Sequence, residues 1–178
     1  MAETLLDKIN RQQELSFAPP QNFYMVVDKL PEVSFMTQRV QIPVISGDET
    51  VQPNGSNPGH LMMPSIGIDY SVLSVDFVID KYFKNYSSIM SWFKGIYAAG
   101  STSTWADNFS IITVLGTDAA NVPVVHWQFT DCYPISVDGP MFDSTMPDIE
   151  YLTSNVTFRF AYFTTSTYTN GADNQENI

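Results

Sequence analysis

Cysteine and basic side chains are the two scarcities that narrow this chain most. Cys132 stands alone, so no internal disulfide and no thiolate zinc site can be built. The histidines, His60 and His126, lack the HxxxH, HxE or CxxC spacings of a metal centre. His126 and Cys132 share a face only if their strand is unbroken, and would then lie about 20 Å apart. No glycine-rich phosphate loop and no Gly-x-Ser-x-Gly elbow is present, so nothing implies a cofactor or an enzyme.

Lysine and arginine number 8 against 19 acidic residues, for a net charge of −11. Residues 1–95 hold 7 basic and 10 acidic side chains, and 96–178 hold 1 and 9, which places −8 of the −11 in the second part. Gripping a phosphate backbone takes clustered Lys and Arg. Arg159 is the single basic residue of that second part, so the chain should repel nucleic acid. No run approaches eighteen apolar residues, and MAETLLDKINRQQ lacks the basic region and apolar core of a signal peptide. A protein made in a cytoplasm, without membrane insertion, is expected.

What the chain has is apolar and aromatic content, 44% and 13%, with only 15% charged residues. That is enough to fill one core, under a surface rich in Ser, Thr, Asn, Gln and Tyr. Leu5, Leu6 and Ile9 have near-helical spacing in 3–13, and SFAPPQN ends that helix. Strands are expected at 23–30 and 31–44. Residues 45–68, punctuated by Gly, Pro, Asn and Ser, read as a long excursion, either a surface loop or an arm contacting another subunit.

The segment YSVLSVDFVIDKYFKNYSSIMSWFKGIY at 70–97 is the most structured text in the chain. Leu73, Val75, Phe77 and Ile79 alternate toward a core, which leaves Ser74 and Asp76 on the other face. Asp80 is placed to cap a helix over about 81–95, with Phe83, Tyr86, Met90 and Phe93 on its packed side. Lys81, Lys84 and Lys94, three of the few cations, are then placed to meet neighbours. FSIITVLG at 109–116 is expected to form a buried strand. A further strand covers 124–131 and breaks at Pro134, before a short one at 135–137. Val156, Phe158, Phe160 and Tyr162 face one way, with Thr157 and Arg159 opposite. Ser74, Asp76, Thr157 and Arg159 are thus candidates for a channel wall or a subunit interface.

The sum is a mostly β protein, an antiparallel barrel or sandwich with one flanking helix and a short N-terminal helix. Its parts are an N-terminal arm at 1–18, a β domain at 19–167 and a polar tail at 168–178, free or ordered only by neighbours. Two other functions compete. One is a carbohydrate-binding barrel using Trp105, Trp127 and Tyr133. The other is a hydrolase using the carboxylates Asp138, Asp143, Asp148 and Glu150, which sit among Pro, Gly and Ser at loop spacing.

The strand–helix passage LSVDFVIDKYFKNYSSIMSWFKG, the phrase FTDCYPISVDGP and the closing strand SNVTFRFAYF, in this order, resemble the tube-type subunits of contractile-tailed bacteriophages. The likeness is strongest to the tube domain of the baseplate tail-tube initiator in T-even-like phages. NFYMVVDKLPEVSFMTQRVQIPVIS resembles the opening strands of standalone tube-like proteins, and the long N-terminal region of the T-even initiator has no counterpart here. The resemblance implies a virion structural protein, assembled in the host cytoplasm. It also implies a hexameric ring whose subunits line a conduit that passes DNA without binding it. Its partners would be further copies and other tail-tube, sheath or baseplate-hub proteins. The subunit could be an initiator, a major tube subunit or a terminator.

Overall fold

The computed structural model describes residues 19–34, 36–53, 60–98, 108–145, 151–169 and 172–176. Two antiparallel sheets share one strand. β7 (Pro123–Val137) pairs along most of its length with β6 (Ser110–Thr117), whose other edge takes β1 (Phe23–Val27). On its far edge β7 changes partner. Val125–Thr130 pair with β9 (Tyr162–Thr169), and Tyr133–Val137 pair with β8 (Thr153–Arg159). β8 continues to β5 (Leu73–Val78) and then β2 (Thr37–Gln41).

The change of partner occurs at a bulge. Ser110 lies opposite Cys132 and Ile112 opposite Phe129, so Thr130 and Asp131 together face Ile111. Asp131 has φ 55, a left-handed geometry that Asp tolerates better than most side chains. The change of partner therefore falls at Asp131, while the break expected at Pro134 is reduced to a second register shift, between Pro134 and Ser136, in a strand that continues to Val137. The extra residue also inverts side-chain parity. Phe129 and Cys132 both reach full burial, and the expected shared face for His126 and Cys132 is lost.

Between the sheets lie Met25, Val27, Leu73, Val75, Phe77, Ile112, Val114, Phe129, Val156 and Phe158. The alternation expected at 73–79 and through Phe160 holds. Tyr162 departs from it, because the chain turns at Ala161, whose N–H bonds Thr130 O at 3.0 Å, and leaves Tyr162 half exposed.

Three other segments differ from expectation. Residues 31–44 are not one strand: Pro31–Ser34 make the helical turn α1 before β2 begins. Pro31 followed by Glu32 is a helix-start signature, since Pro suits the first helical position. The described residues of the excursion at 45–68 are regular: β3 (Ile45–Pro53) and β4 (His60–Tyr70) form a separate two-stranded ribbon. The polar tail pairs as well, β10 (Ala172–Glu176) lying against β9 with Ala172 opposite Thr169. The helix expected in 1–18 lies outside the described residues.

The long helix, α2, spans Lys84–Ala98 and not 81–95. Asp80 is too early to cap it. Asn85, 2% exposed, fixes its start instead: its Oδ1 accepts from the N–H groups of Asp80 at 3.1 Å and Tyr86 at 2.8 Å, and its Nδ2 donates to Val78 O at 2.7 Å. Phe83 just before it has φ 55, a strained geometry for an aromatic residue. Gly95 does not end the helix. The buried line is Asn85, Ile89 and Trp92, with Trp92 against Phe158 at 5.7 Å. Phe83 and Tyr86 flank this line, and Met90 and Phe93 are half-buried. The expected stripe was displaced around the helix because it followed the aromatics and passed over Ile89.

Two measurements test this core. Ile89→Ala is expected to cost about 2–5 kcal/mol in denaturant unfolding and Met90→Ala under about 1.5 kcal/mol; the reverse order would restore the aromatic stripe. Burial pushes the Cys132 thiol from 9.0 to about 12, opposed by a hydrogen bond with the Ile112 backbone and reinforced by the Asp131 charge. The folded state thus favours the protonated thiol. Its contribution to stability is complete below pH 9 and is lost as pH rises toward about 12. At pH 8 maleimide should label the native protein about 1,000-fold more slowly than the unfolded chain, and equal rates would place Cys132 outside the core.

Candidate assembly surfaces

The strand parity that buries Leu73, Val75, Val156 and Phe158 turns Ser74, Asp76, Asn155 and Thr157 to the opposite face of β5 and β8. Register sets Ser74 opposite Thr157 and Asp76 opposite Asn155. Asn155, unremarked in the sequence, joins them: its Nδ2 donates to Asp76 Oδ1 and to Ser74 Oγ at 2.8 Å, and its Oδ1 accepts from Thr157 at 3.3 Å. Arg39 of β2 stands in register with Asp76. Arg159 is exposed at the far end, opposite Tyr133. The four sequence candidates are thus on one face, three of them joined through Asn155, with Arg159 beyond the cluster. That face is polar and carries both signs of charge.

The outer face of the other sheet is different. Tyr24, Val26, Thr113, Leu115, His126 and Gln128 share it by register, and none of them is Asp, Glu, Lys or Arg. Tyr24 and Val26 are half exposed. Lys81, Lys84 and Lys94 are exposed on and beside α2, with Lys81 Nζ 5.6 Å from the Tyr82 ring. The first turn of α2 contains no acidic residue, so Lys84 sits at the positive end of the helix dipole, an arrangement that costs about 0.3–1 kcal/mol.

Among the described residues the β3–β4 ribbon pairs with no other strand. Ile66 is fully exposed, and Ile45 and Ile68 are more than half exposed. It prolongs the β2–β5 pair across Pro43: Ser71 N–H donates to Val44 O at 3.0 Å, and Val44 N–H to Ser71 Oγ at 2.7 Å.

The described residues of the competing sites do not come together. Trp127 and Tyr133 lie on opposite sides of the bulge and line different cavities, and Trp105 lies outside the described residues. Asp143 accepts from the Thr145 hydroxyl at 2.6 Å and amide at 2.8 Å. These bonds lower its pKa, the condition of a turn carboxylate and not of a general acid. Asp148 and Glu150 lie outside the described residues. Among the described residues no group of three His, Cys, Asp or Glu could hold a metal ion, and no helix is long and apolar enough to cross a membrane.

No protein-family model matches the sequence, and no curated protein matches it significantly. Solved structures do match. A chain of the anti-feeding prophage baseplate superposes with TM-score 0.64 at 12% identity, over 85% of this chain and 96% of that one. A chain of the PVC extracellular contractile injection system, in its extended sheath–tube complex, gives 0.60 at 16% identity over 89% and 97%. A chain of the anti-feeding prophage tube-terminating cap gives 0.62 at 16% identity over 86% and 93%. The chain therefore has the tail-tube-like fold found in the tube, cap and baseplate parts of contractile injection systems.

Proposed function

We propose that this chain is a structural subunit of a contractile-tail tube, a tube initiator at the baseplate hub, that assembles as a ring of six copies. The observation that carries the reading is the likeness to a baseplate chain along nearly the whole of both molecules. The same fold occurs in a sheath–tube complex and a tube cap, so a major tube or terminator subunit is the second reading. The role is architectural and not catalytic, and the particle resembles a phage tail.

The surfaces support assembly. Edge strands expose unpaired N–H and C=O groups that natural monomers guard with lysine, proline or short length, and a ring closed by strand pairing removes such edges. An isolated two-stranded ribbon is marginal in water. Ile45, Ile66 and Ile68 on such a ribbon suit an arm laid on another copy. The polar face bearing Ser74, Asp76, Thr157 and Arg159 suits a channel wall. Lys81, Lys84 and Lys94 offer cations to acidic neighbours, whether further copies, sheath or hub proteins.

Purified protein is expected to form rings or stacked tubes under negative stain. A monodisperse monomer at high concentration, at every salt tested, would overturn the reading. The conduit is expected to pass DNA without holding it, since each copy carries −11 and screening extends only about 8 Å at physiological salt. Fluorescence anisotropy with duplex DNA should show no binding at moderate salt. Micromolar affinity with a steep salt slope would indicate a nucleic-acid-binding module instead.

A further inference from the structure

The β3–β4 ribbon has one apolar face. Ile45 lies opposite Tyr70, Gly47 and Ile68 form the next pair on the same side, and Glu49 follows by alternation along β3. Tyr70 anchors this face, its ring 6.0 Å from Phe160 and 5.5 Å from Phe163. Ile45 and Ile68 are more than half exposed, and Ile66 is fully exposed where Ser65, Ile66 and Gly67 together face Asp48. The segment 45–70 contains Asp48, Glu49 and Asp69 but no Lys or Arg. It is an apolar strip on an acidic arm.

A second apolar surface lies at the start of α2. Tyr82, Met141 and Phe142 are each more than two-thirds exposed, and the Phe142 ring stacks on Phe83 at 6.2 Å, which brings the two segments together. Lys81 and Lys84 border it, both exposed, with Lys81 Nζ 5.6 Å from the Tyr82 ring. Asp80 and Asp143 border it too, and Asp143 is bonded to Thr145 in its own turn.

We propose that the ribbon of one copy docks on this surface of a second copy, with Ile66 and Ile68 against Tyr82, Met141 and Phe142, and Glu49 beside Lys81 and Lys84. The contact rests on the assembly reading above and gives it a location. Position comes first in the argument. The ribbon continues from the Leu73 end of β5, where two hydrogen bonds join Ser71 and Val44. The helix starts from the Val78 end, where Asn85 holds the Val78 carbonyl. Six residues of strand separate the two ends by about 20 Å, and the ribbon leads onward from the far one. Surfaces so placed are joined between copies, head to tail. Charge then selects the site: copies of net charge −11 repel one another, and an acidic arm meets least repulsion where cations stand. Apolar side chains at the centre and charges at the rim complete the composition of a protein interface.

Photo-cross-linking locates the contact. The full chain carrying Ile66→p-benzoylphenylalanine, a substitution at a fully exposed site, is irradiated as an equal mixture of light and 15N-labelled protein, digested and mapped by mass spectrometry. Mixed isotopic pairs joining the ribbon to peptides containing Tyr82 or Met141–Phe142 are expected. Adding Lys81→Glu with Lys84→Glu should lower their yield about tenfold or more, because like charges then face Glu49. Adding Glu49→Lys to that variant should raise the yield again several-fold, a rescue that a misfolded chain would not show. Links to any other surface, links confined to one isotopic type, no links, or a yield indifferent to the charge reversals would each overturn the proposal. Negative stain separates it from the ring reading. Rings whose ribbons link elsewhere refute this contact alone, mixed links at this site without rings refute the ring alone, and monomers without mixed links refute both.

Discussion

The bulge at Thr130–Asp131 is the constraint on which the rest of the structure depends. A straight fifteen-residue strand would hold one partner on each edge and one parity throughout. The extra residue bends β7 and lets it leave β9 for β8, so a single strand binds the two sheets together. It also turns both Phe129 and Cys132 inward. The corner is then filled by rings: Phe129 lies 5.1 Å from Phe160 and 5.3 Å from Phe163, near edge-on to the first and tilted to the second.

The second junction, at Asn85, joins the end of β5 to α2. One amide side chain accepts from two N–H groups and donates to the carbonyl of Val78, serving groups that a helix start and a strand end would otherwise leave unpaired. With the helix start fixed there, Ile89 and Trp92 face the sheets and Lys84 and Lys94 face outward. The cationic surface follows from the cap.

What the fold leaves unfinished is as informative as what it completes. Among the described residues no strand pairing closes the β1–β2 seam, the ribbon pairs with neither sheet although Tyr70 at its base packs on Phe160 and Phe163, and one sheet face carries almost no charge. In a protein of net charge −11, copies meet most easily on uncharged faces, where like-charge repulsion is least. Under the proposed ring assembly, further copies would supply partners for edges and apolar ribbon alike.

By itself the sequence determined the strand faces, because period-two alternation at 73–79 and 154–160 leaves only one way to bury Val and Phe. It also determined the presence of one long helix after β5, the acidic character, and the absence of any metal or phosphate motif. The fold class and the placement of Ser74, Asp76 and Thr157 off the core were legible from alternation alone. Tertiary structure decided the rest. Which side of α2 is buried depended on the sheet it meets, and Ile89 outranked Met90 there although both are apolar. The ribbon at 45–70 was hidden because its strands bury little and so show no clear alternation. The bulge at Asp131 was hidden because a left-handed Asp looks like any other Asp in text, while Pro134, which looked like a break, marks a register shift against β8 within a strand that runs on to Val137. Local pattern reports which residues prefer burial, but only the packed partners determine where a strand bends and which face of a helix is covered.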